Sequence, residues 1–406
     1  MRGKIFITGM GIISAIGRNA GETLESLRNS RSGVGPITQL DTIHKAELPA
    51  AEVRLSNKEL AEMTGVAEYQ LIPRTTLLGL IAAREAARHA GLDPCEKQFQ
   101  TGIVSATTVG GMDKTEINFK NFEKGWPYNH FIFTHDCSDG TEKIADDLGI
   151  RDYLTTISTA CSSSANSIIH GAQLIRHGIV DRVLAGGTDP LSKFTLNGFH
   201  ALLILDKNPC KPFDRDRMGL NLGEGAAYLV LESERSASGK KILCELKGYG
   251  NANDAYHQTG SSPEGLGPYL SMKEALEMGG LGPEAIDYIN AHGTGTDNND
   301  LAEGIAIERI FAPHIPPVSS TKPLTGHTLG ASGAVEAVIS IMALTQGMIF
   351  PNLNFRTRIP ELSFEPVKEL TETNKVRNVM SNSFGFGGND STLIFSACEW
   401  KPLSGA

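Results

Sequence analysis

Cysteine 161 and histidines 292 and 327 are the residues whose types and settings suit chemistry in this 406-residue chain. Cys161 follows a β-prone run, Thr155–Thr159, and precedes three serines. Ala165, Ile168, Ile169, Ala172 and Ile175 then recur at helical spacing. A helix therefore starts at or just after Cys161, and its unpaired N–H groups and dipole favour a thiolate there. Taken alone, the stretch reads equally as a buried structural thiol. The histidines shift that balance. His292 stands in NAHGTGT after the strand Asp287–Asn290, and His327 in SSTKPLTGHTLGASG, between a strand ending near Ser319 and a helix beginning near Gly330. Both occupy glycine-framed turns at strand ends, where α/β enzymes gather reactive groups. Two imidazoles in such turns, with a helix-start cysteine elsewhere in the chain, shift the balance from structural residues toward catalysis.

Bulk properties are consistent with that reading. The chain exceeds the usual size of one core, so two domains or two fused halves are expected. A net charge of −9 without a basic stripe argues against nucleic acid as the main partner. Six scattered cysteines with no zinc spacing read as thiols in a reducing cytoplasm. No uninterrupted apolar stretch is read as long enough to span a membrane.

Along the chain, Lys4–Thr8 reads as a strand and Gly9-Met10-Gly11 as the turn after it. Ser14 stands where a dinucleotide fingerprint needs its third glycine, so no nucleotide site is assigned. The aromatic region Asn118–Asp139 suits a lid or a subunit contact. Ser233–Lys241 reads as a linker, dividing a first half (1–235) from a second (236–406). The halves echo each other. A polar turn feeds a small-residue helix in both (Ser158–Ser164, then Ser319–His327), and a Gly-rich turn feeds a later strand in both (Gly223–Gly225, then Gly385–Gly388). This order predicts a duplicated α/β unit with equivalent helices back to back, a five-layered α/β/α/β/α body.

TACSSSA, NAHGTGT, SSTKPLTGHTLGASGAVEA and NSFGFGG occur in the order and spacing of the elongating β-ketoacyl-[acyl-carrier-protein] synthases, which the chain resembles from TGMGIIS at 8–14 onward. The same strings resemble ketosynthase domains of polyketide synthases. The resemblance implies a thiolase fold, a homodimer (or a heterodimer with a related subunit), no intrinsic cofactor, and an acyl carrier protein that presents substrate on phosphopantetheine. It implies decarboxylative condensation of an acyl group on Cys161 with malonyl thioester, in fatty-acid elongation or alternatively in polyene or polyketide synthesis. It assigns His292 and His327 to enolate stabilisation, Lys322 to the catalytic set and Glu336 to its support. The N–H groups of Cys161 and Phe386 become the oxyanion hole, Thr294 and Thr296 contacts to the pantetheine arm, Phe386 the acyl-pocket gate, and Phe384 a substrate-binding residue on the other side of Gly385. A monovalent cation is implied near Asn290, Glu336, Ser381 and Asn382.

Three departures stand out. The turn continues Asn389-Asp390 where relatives have Thr-Asn, and Ser162–Ser164 replaces more varied residues. The segment Glu123–Tyr128 lacks a basic pair for the acidic carrier, leaving Lys124, Arg74 and Lys207 as a candidate patch. Two further readings are a non-catalytic chain-length subunit, against which Cys161, His292 and His327 count, and a Cys–His hydrolase.

Overall fold

The computed structural model describes residues 3–398 apart from 68, 94, 95 and 97; Cys95 lies outside the described residues, and the other five cysteines are free thiols. Ten strands form one hydrogen-bonded sheet. They are β1 (Ile5–Ser14), β2 (Thr101–Ala106), β3 (Tyr153–Ile157), β4 (Arg182–Asp189), β5 (Gly225–Ser233), β6 (Cys244–Asn253), β7 (Tyr288–Asn290), β8 (Val318–Ser319), β9 (Asn378–Gly385) and β10 (Asn389–Ser396). Across the sheet the order is β8-β7-β9-β10-β6-β1-β5-β4-β2-β3. Read outward from the middle, the halves run β1-β5-β4-β2-β3 and β6-β10-β9-β7-β8. Each has two antiparallel pairings followed by two parallel ones. The duplication expected from the motif order is therefore present strand for strand. The halves meet in a short ladder, Phe6 and Ile7 against Glu245 and Cys244.

The helices used below are α1 (Arg74–Ala90), α2 (Cys137–Leu148), α3 (Ser163–Arg176), α4 (Lys193–Ala201), α5 (Leu266–Gly279), α6 (Asp297–Phe311) and α7 (Ser332–Gln346). The sequence of α7 is apolar around nearly its whole circumference, and every residue from Ser332 to Leu344 is buried, as a helix enclosed on all sides requires. It packs on α3, and both helices touch strands of both halves. Small residues permit that closeness, since a Cβ on Gly333 would lie 2.6 Å from the Ala165 nitrogen. With α1 covering one sheet face and α5 the equivalent face of the other half, the layers are α/β/α/β/α. One apolar core surrounds α3 and α7, and two others lie under α1 and α5.

Two expectations need correction. Gly9 and Gly11 are not in a turn: β1 continues through them to Ser14. They are glycines because α1 lies directly on this strand, where a Cβ on Gly11 would sit 2.1 Å from the Ala82 carbonyl oxygen. Second, Leu329–Gln346 is long and apolar enough by composition to cross a bilayer, but it is the buried central helix α7 and the turn before it. The aromatic region forms short helical turns, Met112–Asn118, Phe119–Lys124 and Phe131–Thr134, that leave Phe119, Phe122, Trp126 and Phe133 exposed.

Candidate active site

Cys161 lies in the turn between β3 and α3, immediately after Ala160, whose φ of 52° is left-handed. Such a conformation costs a residue with a Cβ about 1–2 kcal/mol and is held here by its surroundings. The three serines do that holding. Ser162 Oγ donates to the Thr159 carbonyl and Ser163 Oγ to the Ala160 carbonyl, while Ser164 Oγ accepts from the Ala334 N–H at 2.8 Å, tying α3 to α7. Burial pushes the Cys161 thiol up to about 11, against the smaller pull of Lys322 and of the Phe386 N–H directed at it. The helix start therefore does not by itself maintain a thiolate, which corrects the expectation from sequence. His327 Nε2, 3.0 Å from Sγ, is in place to share the proton. In the free protein, alkylation of Cys161 by iodoacetamide should climb about tenfold per pH unit from about pH 7 to about pH 9.5, without a plateau. Peptide mass mapping of the rate checks this, and a plateau near pH 8 would contradict it.

His292 and His327 arrive from opposite turns and meet edge to face, with ring centroids 5.4 Å apart at 86°. His292 ends the turn after β7; His327 precedes α7, and its Nδ1 lies 2.9 Å from Ser332 Oγ. The Lys322 ammonium lies 3.2 Å from His292 Nδ1, donates to the His292 carbonyl at 2.6 Å, and pairs with Glu336 Oε1. An ammonium only donates, so Nδ1 of His292 is an acceptor and Nε2 carries the ring proton. Burial, with Lys322 second, depresses both histidines well below the usual value; for His292 a smaller contribution comes from His327. Both rings are thus neutral near pH 7, and each can present one N–H. Glu336, buried at 2 % exposure, is raised to about 7 by desolvation against the opposing pull of Lys322.

The Gly385–Gly388 turn between β9 and β10 closes over the sulfur. A Cβ on Gly385 would lie 3.1 Å from the Cys161 nitrogen, so a side chain here would push the two turns apart by a few tenths of an ångström. Phe386 stacks on Phe199 of α4, with centroids 5.7 Å apart at 13°, and Phe384 packs by His292 at 6.0 Å. A cavity of about 250 Å³ opens beside Cys161, His292 and His327. Thr294 and Thr296 also line it, their hydroxyls 2.8 Å apart.

Sequence reasoning missed the supports. Glu303 Oε1 and Oε2 accept the N–H groups of His292 and Gly293, and Asp300 accepts those of Thr294 and Gly295. Asp189, at the end of β4, accepts from Thr107, Thr108 and Gly330, linking two turns of the site. The i, i+3 spacing of Asp300 and Glu303 directly after HGTGT was the available signal. Phe199 had no motif to mark it.

Asn290 Oδ1, Glu336 Oε2 and Ser381 Oγ are buried oxygens with no hydrogen-bond partner among the described residues. Asn290 and Ser381 are register partners across β7 and β9, and the Asn290 amide donates to the Glu336 carbonyl. Such orphaned oxygens fit a monovalent cation. The Asn382 side chain is committed elsewhere, to Glu303 and Thr392. Arg74 leaves the basic patch altogether: it is buried and paired with Glu224 at 2.7 Å. Lys124 is exposed by the Tyr128 ring, and Lys207 is exposed with Glu47 3.2 Å away.

Asp390, the acid beside the turn, is fully buried, and neither carboxyl oxygen has a hydrogen-bond partner among the described residues. Burial, then Asp254 and Glu303, raise it to about 8. Its folded value lies above its unfolded one, so it penalises folding increasingly as pH rises from about 4 to about 8. Asp390→Asn should therefore stabilise the protein by about 2–4 kcal/mol at pH 7, with the gain fading toward pH 4. Urea unfolding at the two pH values measures this, and a pH-independent effect would contradict it.

A buried cysteine at a helix start, two neutral imidazoles and a backbone donor turn, carried on duplicated α/β halves, define a thiolase-fold condensing enzyme. The N-terminal domain profile of the β-ketoacyl synthases matches residues 2–237 and the C-terminal domain profile residues 243–356. The chain is 35 % identical over 413 aligned positions to a 3-oxoacyl-[acyl-carrier-protein] synthase 2 of Staphylococcus aureus strain COL, covering 98 % of this chain and 99 % of that one. Among solved structures, the ishigamide ketosynthase/chain length factor superposes with a TM-score of 0.91 at 32 % identity, over 98 % of this chain and 100 % of that one. AntDE:AntF, a type II polyketide synthase carrier protein in complex with its ketosynthase bound to the hexaketide, gives a TM-score of 0.87 at 25 % identity, with coverage of 98 % and 100 %. The chain belongs to the β-ketoacyl synthase family, and it is a condensing enzyme acting on substrate bound to an acyl carrier protein.

Proposed function

We propose that this protein is the catalytic ketosynthase subunit of a pathway-specific polyene or polyketide assembly system, working in the cytoplasm with an acyl carrier protein and a related chain-length-type subunit. The observation that carries the reading is an assembled Cys161–His292–His327 site in a chain similar along its whole length to a ketosynthase/chain length factor. The edge strand β3 and the exposed aromatic turns beside it are the surface for the paired subunit.

In this reading Cys161 Sγ attacks the carbonyl of an acyl thioester. The tetrahedral oxyanion lies between the N–H groups of Cys161 and Phe386, and the carrier's pantetheine thiol leaves with the cysteine proton. The arm lies along Thr294 and Thr296. Malonyl thioester then enters with its carbonyl oxygen toward the Nε2–H groups of His292 and His327. Loss of CO2 leaves an enolate held by these two donors, which is why both rings must be neutral. The enolate carbon attacks the acyl–Cys161 carbonyl and expels the cysteine sulfur, giving a 3-oxoacyl chain on the carrier. Phe384 and Phe386 bound the pocket entrance. Lys322, paired with Glu336, fixes the His292 tautomer. A monovalent cation at Asn290, Glu336 and Ser381 would satisfy the buried oxygens that have no hydrogen-bond partner among the described residues.

The test compares carrier-bound saturated acyl donors with conjugated or 3-oxo donors of equal length, in the presence of malonyl carrier. A preference of at least about tenfold in kcat/KM for the unsaturated or 3-oxo donors is expected. Preference for saturated donors would instead make fatty-acid elongation the function.

A further inference from the structure

We infer that His44, Glu47 and His200 form a binding site for a divalent transition-metal ion of the zinc class, outside the reaction centre. The three come from two separate segments, the loop before the short strand Pro49–Ala51 and helix α4, yet their ligand atoms lie within 4.8 Å of one another. His44 is buried at 7 % exposure, which fixes one ligand firmly.

The hydrogen bonds around His44 set its chemistry. Asn197 Oδ1 lies 3.0 Å from Nε2, and an amide oxygen only accepts, so Nε2 carries the ring proton. That leaves the Nδ1 lone pair facing Glu47 Oε1 at 3.1 Å. A proton on Nδ1 joins this pair as an ion pair in the metal-free protein, and a metal ion displacing that proton would be held by the same two atoms. The second imidazole, His200, packs against His44 with ring centroids 4.5 Å apart, and no hydrogen bond engages its ring among the described residues. Around one tetrahedral ion with bonds of about 2.0–2.2 Å, ligand atoms stand about 3.3 Å apart. At 3.1 Å the Nδ1–Oε1 pair is within a few tenths of an ångström of that spacing, and the half-exposed His200 needs only a side-chain adjustment.

The arrangement includes the outer partners that metal sites use. Asn197 orients His44 as an amide or carbonyl orients a ligating imidazole, and Lys207 holds the other carboxylate oxygen of Glu47 at 3.2 Å. Two imidazoles and one carboxylate select zinc, cobalt, nickel or copper over magnesium or calcium. Glu47 is exposed, so the fourth position faces water. An ion here joins the loop to α4, whose Phe199 precedes His200 and stacks on Phe386. The site thus braces one wall of the acyl pocket without touching the reacting atoms.

Cys161, His292 and His327 are also close enough to hold an ion, so the titration uses the full-length Cys161→Ala protein. Co2+ is added first and followed by visible absorption, then displaced with Zn2+ and the stoichiometry measured by calorimetry. One ion per chain is expected, with affinity lowered at least about tenfold by Glu47→Gln and by His200→Ala, both at positions open enough to solvent to leave the fold intact. Occupancy should also raise the Tm of the Cys161→Ala protein and not that of its Cys161→Ala/His200→Ala derivative. Failure to bind, or binding unchanged by both substitutions, overturns the assignment.

Discussion

Cys161→Ala should lower condensation by at least about a thousandfold while leaving malonyl-carrier decarboxylation in place. In the proposed mechanism the variant removes the sulfur that accepts the acyl chain. His292, His327 and the Gly385–Gly388 backbone remain, so the enolate-forming half of the site is intact. The change removes one small atom from a buried position, at a stability cost of about 1 kcal/mol, so the fold survives. The discriminating readout is 14CO2 release from labelled malonyl carrier, beside mass analysis of the carrier-bound product. Retained condensation would mean that the acyl group is held elsewhere. Loss of CO2 release together with condensation would mean that the two half-reactions are not separable as the geometry implies.

The second large effect lies on the histidines. His292→Ala is expected to lower decarboxylation by about 10²–10³-fold, the usual consequence of deleting one preorganised donor from an oxyanion site. In the proposed mechanism acylation of Cys161 relies instead on His327, 3.0 Å from the sulfur, and on the Phe386 N–H, and should change far less. Single-turnover acylation, measured by intact mass, therefore separates from CO2 release in this variant. In His327→Ala both steps should suffer, because His327 touches the sulfur and faces His292. Equal losses in both steps for His292→Ala would contradict the division of labour. Because burial and Lys322 hold both imidazoles neutral, CO2 release should lack the inflection of an ordinary histidine near 6.5; an inflection near 7 that Glu336→Gln abolishes belongs to that carboxyl.

The clustering of the candidate site was legible in the sequence because its residues stand in local motifs. Cys161, His292 and His327 each occupy a turn framed by small residues, and the duplicated order of turns and helices anticipated the two equivalent sets of strands. What sequence did not show were partnerships formed across long separations. Arg74 starts a helix and reads as a surface charge; its partner Glu224 is 150 positions away, and only the fold buries the pair. Asp300 and Glu303 drew no reading from the sequence, yet they face inward and hold the HGTGT backbone. Gly9 and Gly11 signal a turn in isolation and serve a helix-on-strand contact in the structure. The thiol was misjudged for a related reason: the helix start was visible, whereas the desolvation that outweighs it arises from packing by segments distant in sequence.

The most direct test of the account is to follow Cys161 by intact mass through one turnover. Incubation with an acyl-carrier donor should add one acyl group, mapped to Cys161 and stable in water. Addition of malonyl carrier should then remove it, release one CO2, and yield a 3-oxoacyl carrier longer by two carbons. Appearance of the acyl group as free acid, without CO2, would contradict the account and establish a hydrolase.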